Sequence, residues 1–444
     1  EGVKRVDMDG FIDNQGNFGA DGIVGPHHEK EGSFYTIKQL WSPVQIMNTS
    51  VDKQFDGKFS VENRYDFLNL NTCRFLWKQV KFPTATDASN TTAQVLKQGE
   101  VQGSDVAAHL AGVLDIKTTI LPDADALFLT AIDRYGHELW RWTFPVNKLN
   151  QANEVLSPLS NKVTSTETEN ELTVKAKNHT FIFSKKDGQL KGVSVNNRKI
   201  SFANGPRFIG ARRADRSLDQ FYNHDDEKAK EKDRTYSEFP DAAVFTKLDV
   251  KEDGGNLIVT ADYKLGNLDK VQWTINPNGE AVLDYTYNFS GVVDLMGICF
   301  DYPEDQVISK RWLGAGPYRV WQNRIHGTQY DVWENDYNDP IPGETFTYPE
   351  FKGYFGSVSW MNIRTKEGTI SLTNETPDAY IGVYQPRDGR DRLLYTLPES
   401  GISVLNVIPP VRNKVNSTDL CGPSSQPKWV NGPQSGRIIF RFME

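Results

Sequence analysis

Between residues 271 and 289 the chain alternates in a way that constrains its fold sharply. Val271, Trp273 and Ile275 fall on one parity, Asn276-Pro277-Asn278-Gly279 interrupts, and Ala281, Leu283, Tyr285, Tyr287 and Phe289 resume. Side chains two residues apart share one face of a strand, so this stretch predicts two antiparallel strands with one buried face, joined by a turn rich in Asn and Gly. A helix would scatter the same apolar positions around its circumference. Asp187-Gly188 and Asn196-Asn197 separate further alternating runs in the same manner.

The pattern extends over most of the chain. Phe59, Val61, Tyr65 and Phe67 alternate with Asn63 as the one polar interruption, and Phe75 and Trp77 continue the alternation. Apolar runs at 126–132 and 139–144 follow. Strands of this length and spacing over about 100 residues predict an immunoglobulin-like sandwich for residues 47–150. Residues 148–170 have the Asn, Ser, Thr and Glu content of a linker. The remaining strand signals, to residue 444, exceed one simple sandwich and predict a large, many-stranded one. Residues 1–46 hold glycine-rich turns and a short amphipathic piece at 33–41 that fits two turns of helix. With no core of its own, this segment is expected to be the end of a domain lying before it. The charged run 224–234 reads as a solvated loop or short helix.

Composition narrows the function. The chain has 444 residues, enough for two or three domains, and 58 acidic against 50 basic side chains give a net charge of −8. No basic block is present, so nucleic acid is not an expected partner. No apolar run approaches the ~20 residues of a spanning helix, and no membrane partner is expected. Cys73, Cys299 and Cys421 are too few and too scattered for a disulfide framework. The pair His27-His28 with Glu29 lacks ligand spacing, because adjacent side chains diverge on either a helix or a strand. Asp331, Glu334, Asp336 and Glu350 are carboxylates of the kind glycoside hydrolysis uses. Nothing places two of them on neighbouring barrel strands, and the chain has no βα alternation that would build a barrel. No catalytic residue is therefore expected within the chain. Residues 310–333 concentrate three tryptophans, arginines and a histidine around Gly314-Ala315-Gly316-Pro317. This composition suits a sugar-facing surface, with Trp321, Arg324 and His326 as contacts, and suits a packed sandwich corner equally well. Neither the compartment nor the oligomeric state is set by these features; a periplasmic or secreted bacterial parent and a homo-oligomer are the working expectations.

Four segments carry a family resemblance. Asn14-Gln-Gly-Asn-Phe18-Gly-Ala-Asp21-Gly22 resembles the stretch that leaves the catalytic barrel of glycoside hydrolase family 2 β-galactosidases. Phe59-Ser-Val-Glu-Asn63-Arg-Tyr65-Asp-Phe67 is similar to the opening strand of that family's second immunoglobulin-like domain. Phe181-Ile-Phe-Ser-Lys-Lys-Asp-Gly188-Gln-Leu190 resembles the start of its large C-terminal β domain, and Trp312-Leu-Gly314-Ala-Gly316-Pro317 with Arg324 resembles that domain's signature.

The resemblance implies a mainly β chain in three parts: a barrel-exit segment (1–46), an immunoglobulin-like sandwich (47–150) and a supersandwich similar to galactose mutarotase (151–444). It implies a retaining β-galactosidase-like parent whose two catalytic glutamates lie on barrel strands outside this chain, so residues 1–444 alone are expected to be inactive. The expected partners are the missing barrel and N-terminal domains, and a galactoside or related glycan. An aldose-epimerase role, with His326 and Glu350 as acid and base, and a free-standing carbohydrate-binding module are the alternatives. Phe18 matches an aromatic at the floor of the galactose site. Asp21 matches an asparagine that, with the carbonyl of that phenylalanine, holds Na+ in some members, so Phe18 and Asp21 are the candidate ligands for Na+ or another cation. Trp429 lies near a tryptophan that the family sends to the active-site rim. Many members carry Glu, Tyr and Asp where this chain has Arg319, Trp321 and Asn323, which locates any difference in specificity at these three positions.

Overall fold

A computed structural model describes residues 3–4, 12–13, 23–24, 30, 32–87, 92–146, 162–213, 236–335, 353–383, 397–411 and 421–444. Phe18, Asp21, His27, His28, Glu29, the run 224–234, Asp336 and Glu350 lie outside these residues.

The described chain is mainly β, with one α-helix among the described residues, Gly32–Leu40. Seven strands follow it in two sheets. Val44–Ile46, Lys58–Asn63 and Ala111–Asp115 form one; Gln94–Gln102, Arg74–Lys81, Ala126–Ile132 and Glu138–Pro145 form the other. Three strands facing four, all antiparallel, is an immunoglobulin-like arrangement. Phe59, Val61, Phe75, Leu127 and Leu129 fill the space between the sheets. One detail departs from the alternation. The strand stops at Asn63, and Phe67 is 94% exposed. Asn63 is buried because its amide donates to the carbonyls of Leu68 and Val106, both at 2.9 Å, while its Oδ1 accepts from the Tyr65 amide. A polar residue in phase with a buried face can thus end a strand by taking the backbone's hydrogen bonds itself.

Residues 164–443 build a much larger sandwich from a ten-stranded and a nine-stranded sheet. The hairpin read from residues 271–289 lies in the second. Leu268–Ile275 pairs with Ala281–Val293, with Ile275 opposite Ala281. Gly279 closes its turn at φ +86°, where a Cβ would strike the His179 ring. Ala281–Val293 then pairs along its whole length with Lys428–Met443, so the end of the described chain lies in mid-sheet. Trp273, Phe300, Phe202, Phe440 and Phe442 meet between the sheets in a mixture of edge-on, tilted and stacked pairs, which fills a wide core with aromatic rings.

The two sandwiches share a dry contact. Val80, Phe82, Ala85, Ala126 and Phe128 of the smaller pack against Leu313 and Trp360 of the larger. Trp360 Nε1 donates to the Pro83 carbonyl at 3.1 Å, and Asn362 donates to that of Ala85 at 2.7 Å. Arg141 pairs with Asp331 across the same seam at 3.0 Å. Burial pushes the Asp331 carboxyl up and Arg141 pulls it partly back.

Candidate functional site

The signature stretch begins inside a strand. Val307–Gly316 pairs with Gln329–Asn335, so Gly314 and Gly316 belong to a ladder, and neither has a left-handed φ. What they supply is space. A Cβ on Gly316 would lie 2.4 Å from the Trp333 ring, and one on Gly314 would lie 3.0 Å from backbone atoms of Gly356 and Val358. Trp333 uses the gap to donate from Nε1 to the carbonyls of Gly314 and Gln329. Trp312 donates back to Ala315 at 2.9 Å and meets Phe355 edge-on. These glycines therefore lie at a strand end stapled by two indoles.

Beyond it, residues 317–328 form a turn tied down on two sides. The helix Gly32–Leu40 holds one side: Thr36 Oγ1 donates to the His326 carbonyl at 2.8 Å, the Gly327 amide donates to Gln39, and Arg324 donates to Ser33. Gly327, at φ +87°, leaves no room for a Cβ, which would lie 2.5 Å from the Thr36 nitrogen. Tyr35 and Tyr318 pack ring on ring beside it at 5.1 Å. The other side is held by residues 409–411 and 421–427. Gln322 Nε2 donates to the carbonyls of Ser424 and Gln426, and Asn323 bridges Val411 and Ser425.

These ties correct the expected sugar contacts. Trp321 is 2% exposed, edge-on to Tyr354 and beneath Arg213, and offers no ring face to a saccharide. Arg319 is buried with its guanidinium over the Phe355 ring, and both ends of the Asn323 amide are hydrogen-bonded within the chain. Of the three positions that differ from the family pattern, Arg319 and Trp321 are interior and Asn323 is half-buried. Arg324 is half-buried against the helix. His326 is exposed, as is the neighbouring Ile325. Trp429 is 70% exposed at the start of Lys428–Met443, directly after the segment that Gln322 and Asn323 hold. Trp41, which ends the helix region, is 79% exposed. Each of these exposed side chains lies on or beside an element that the ties hold in place. Among the described residues no group of three or more His, Cys, Asp or Glu is placed to hold a metal ion. All three cysteines are free thiols, with Cys73 and Cys299 buried.

Sequence reasoning left the turn undecided between a sugar-facing surface and a packed corner because its partners, Arg213, Val411 and Ser425, are about 90 or more positions away. It also missed a cleft of about 620 Å³ on the ten-stranded sheet, lined in part by Asn204, Arg207 and Asp301.

Comparison with known proteins places these features. Residues 175–407 match the family model described as β-galactosidase small chain. A β-galactosidase of Priestia megaterium is 22% identical over 388 residues, 83% of this chain and 35% of that protein. The chain thus spans about a third of the length of that relative, at its C-terminal part. Among solved structures, a galactose 1-epimerase from Lactobacillus acidophilus NCFM is similar at TM-score 0.32, 9% identity, and coverage of 64% of this chain and 98% of that one. A mutarotase-like protein of Salmonella typhimurium gives a TM-score of 0.28 at 10% identity, over 66% of this chain and 97% of that one. These are likenesses in outline, and neither says what this chain binds.

Proposed function

The chain belongs to the β-galactosidase small-chain family, and from that premise we propose that it is the non-catalytic β portion of a retaining β-galactosidase-like hydrolase of glycoside hydrolase family 2. Its task is to hold the 317–328 turn, the helix Gly32–Leu40 and the Trp429 strand end in one arrangement against the catalytic portion. The observation that carries this reading is the double tethering of the turn, by Thr36, Gln39 and Ser33 on one side and by Val411, Ser424, Ser425 and Gln426 on the other. So many bonds on a loop fix a surface rather than leave a hinge. Ile325 in the turn, Trp41 after the helix and Trp429 after residues 421–427 are each exposed. The cleavage of the galactoside is assigned to glutamates outside these residues.

Trp429 has the exposure a saccharide platform needs, since a flat ring can cover the CH face of a pyranose. We assign it to the rim of the galactoside site in the assembled enzyme, together with the exposed His326 of the tethered turn. The test is steady-state kinetics of the assembled enzyme on an aryl β-galactoside. Trp429→Ala is expected to raise KM several-fold with little change in kcat, the pattern of lost binding common to ground and transition states. Unchanged KM would remove Trp429 from the site.

A further inference from the structure

We propose that the cleft on the ten-stranded sheet binds a neutral saccharide of one or two units. Its volume of about 620 Å³ lies within the range of small-molecule sites. It is opened by a local irregularity. Ala203–Arg213 pairs with Leu295–Asp301, but Ala203 faces Asp301 while Arg207 faces Cys299, so four residues on one strand advance against two on the other. The surplus residues bulge outward, and bulges of this kind re-aim side chains beside binding sites. Gly205 permits the bulge, because a Cβ there would lie 2.7 Å from the Cys299 carbonyl oxygen.

The bulge brings two donors onto one carboxylate. Arg207 Nη2 donates to Asp301 Oδ1 and Asn204 Nδ2 donates to Asp301 Oδ2, both at 2.7 Å. Asp301 is thereby fixed in orientation and retains accepting lone pairs, while Arg207 retains further N–H donors. Glu238, Glu399 and Lys199 line the same cleft and have no hydrogen-bond or ion-pair side-chain partner among the described residues. Donors and acceptors thus share one concavity, which suits vicinal hydroxyls, each able to give one hydrogen bond and accept another. The charges select against anions and favour cations only weakly. Two cations face three carboxylates, a net of −1, so a phosphate or uronate meets repulsion without a cationic cradle. An amine gains from that single net charge and is opposed at close range by Arg207 and Lys199. A metal ion is not served, since no metal-binding group occurs among the described residues.

The experiment is calorimetric and saturation-transfer NMR titration of residues 1–444 with galactose, lactose and glucose, beside glucuronate and glucosamine as charged probes; the choice of galactosides rests on family membership. Binding of at least one neutral probe is expected, weakened about tenfold by Arg207→Met and by Glu399→Gln, as loss of a charge-assisted hydrogen bond implies. Glu399 is exposed and unpaired, so Glu399→Gln keeps the fold and keeps the test decisive even if Arg207→Met does not. No binding of any neutral probe, binding that survives Glu399→Gln, or a preference for glucuronate or glucosamine would overturn the cleft as a neutral-saccharide site. Binding lost in Trp429→Ala instead would place the sugar on the rim and likewise overturn it, while leaving the proposed rim role standing.

Discussion

Two residues show how chemistry, rather than residue type alone, decides a role. Trp321 sits in a cluster with Val320, Tyr354 and Leu405, so its ring fills interior volume. Trp321→Ala should lower the free energy of unfolding by about 3–5 kcal/mol, the range for deleting a large buried aromatic, measured by urea denaturation. A neutral effect would return it to the surface. His179 is a second case. It lies between the sheets, stacked on Phe181, with Nε2 donating to the Phe442 carbonyl at 2.8 Å. Burial is the main cause that lowers its pKa below the usual 6.5, against the hydrogen bond to Phe442. The unfolded chain therefore binds a proton more readily than the folded one. The stability held by neutral His179 is complete above about pH 6.5 and is lost as the pH falls below it. Thermal unfolding between pH 7 and 5 should show this decline, and His179→Gln, which keeps a donor but does not titrate, should flatten it.

At the scale of elements, strands were far more legible than the loops joining them. A strand's period is local: Val271 to Phe289 show their buried face without reference to the rest of the chain, and the hairpin forms in the register they imply. The glycines of the 314–317 motif were legible as a family signature, but their reason was not, because the Trp333 ring that needs the space at Gly316 arrives from the neighbouring strand. Gly316→Ala should therefore cost about 1–3 kcal/mol through overpacking, read from the urea midpoint, although its φ would tolerate alanine. The turn and the cleft were not legible in detail, since both are assembled from segments far apart in sequence: Asn204 and Arg207 meet Asp301 only when two strands pair out of step. The seam between the sandwiches is of the same kind. Arg141→Met leaves Asp331 inside it without its partner and should destabilise the chain by about 2–3 kcal/mol, discounted for the pair's partial exposure. Adding Asp331→Asn should recover much of that loss in a double-mutant cycle; simple additivity would mean the pair is uncoupled.

On the scale of the whole molecule, the packed seam and the tethered turn make the two sandwiches and the helix one supporting frame. Its exposed apolar groups lie on fixed elements, and its carboxylates serve structure where their partners are known: Asp331 at the seam, Asp301 in the cleft, and Asp294 holding the Arg213 backbone amide and the Arg212 side chain. The frame is proposed to position galactoside chemistry that takes place on another portion of the enzyme. The most direct measurement is hydrolysis of an aryl β-galactoside by purified residues 1–444, alone and with single carboxylates replaced. The account expects no turnover above buffer from any of these proteins. Hydrolysis by the unaltered chain that disappears when one of its own carboxylates is replaced would contradict it.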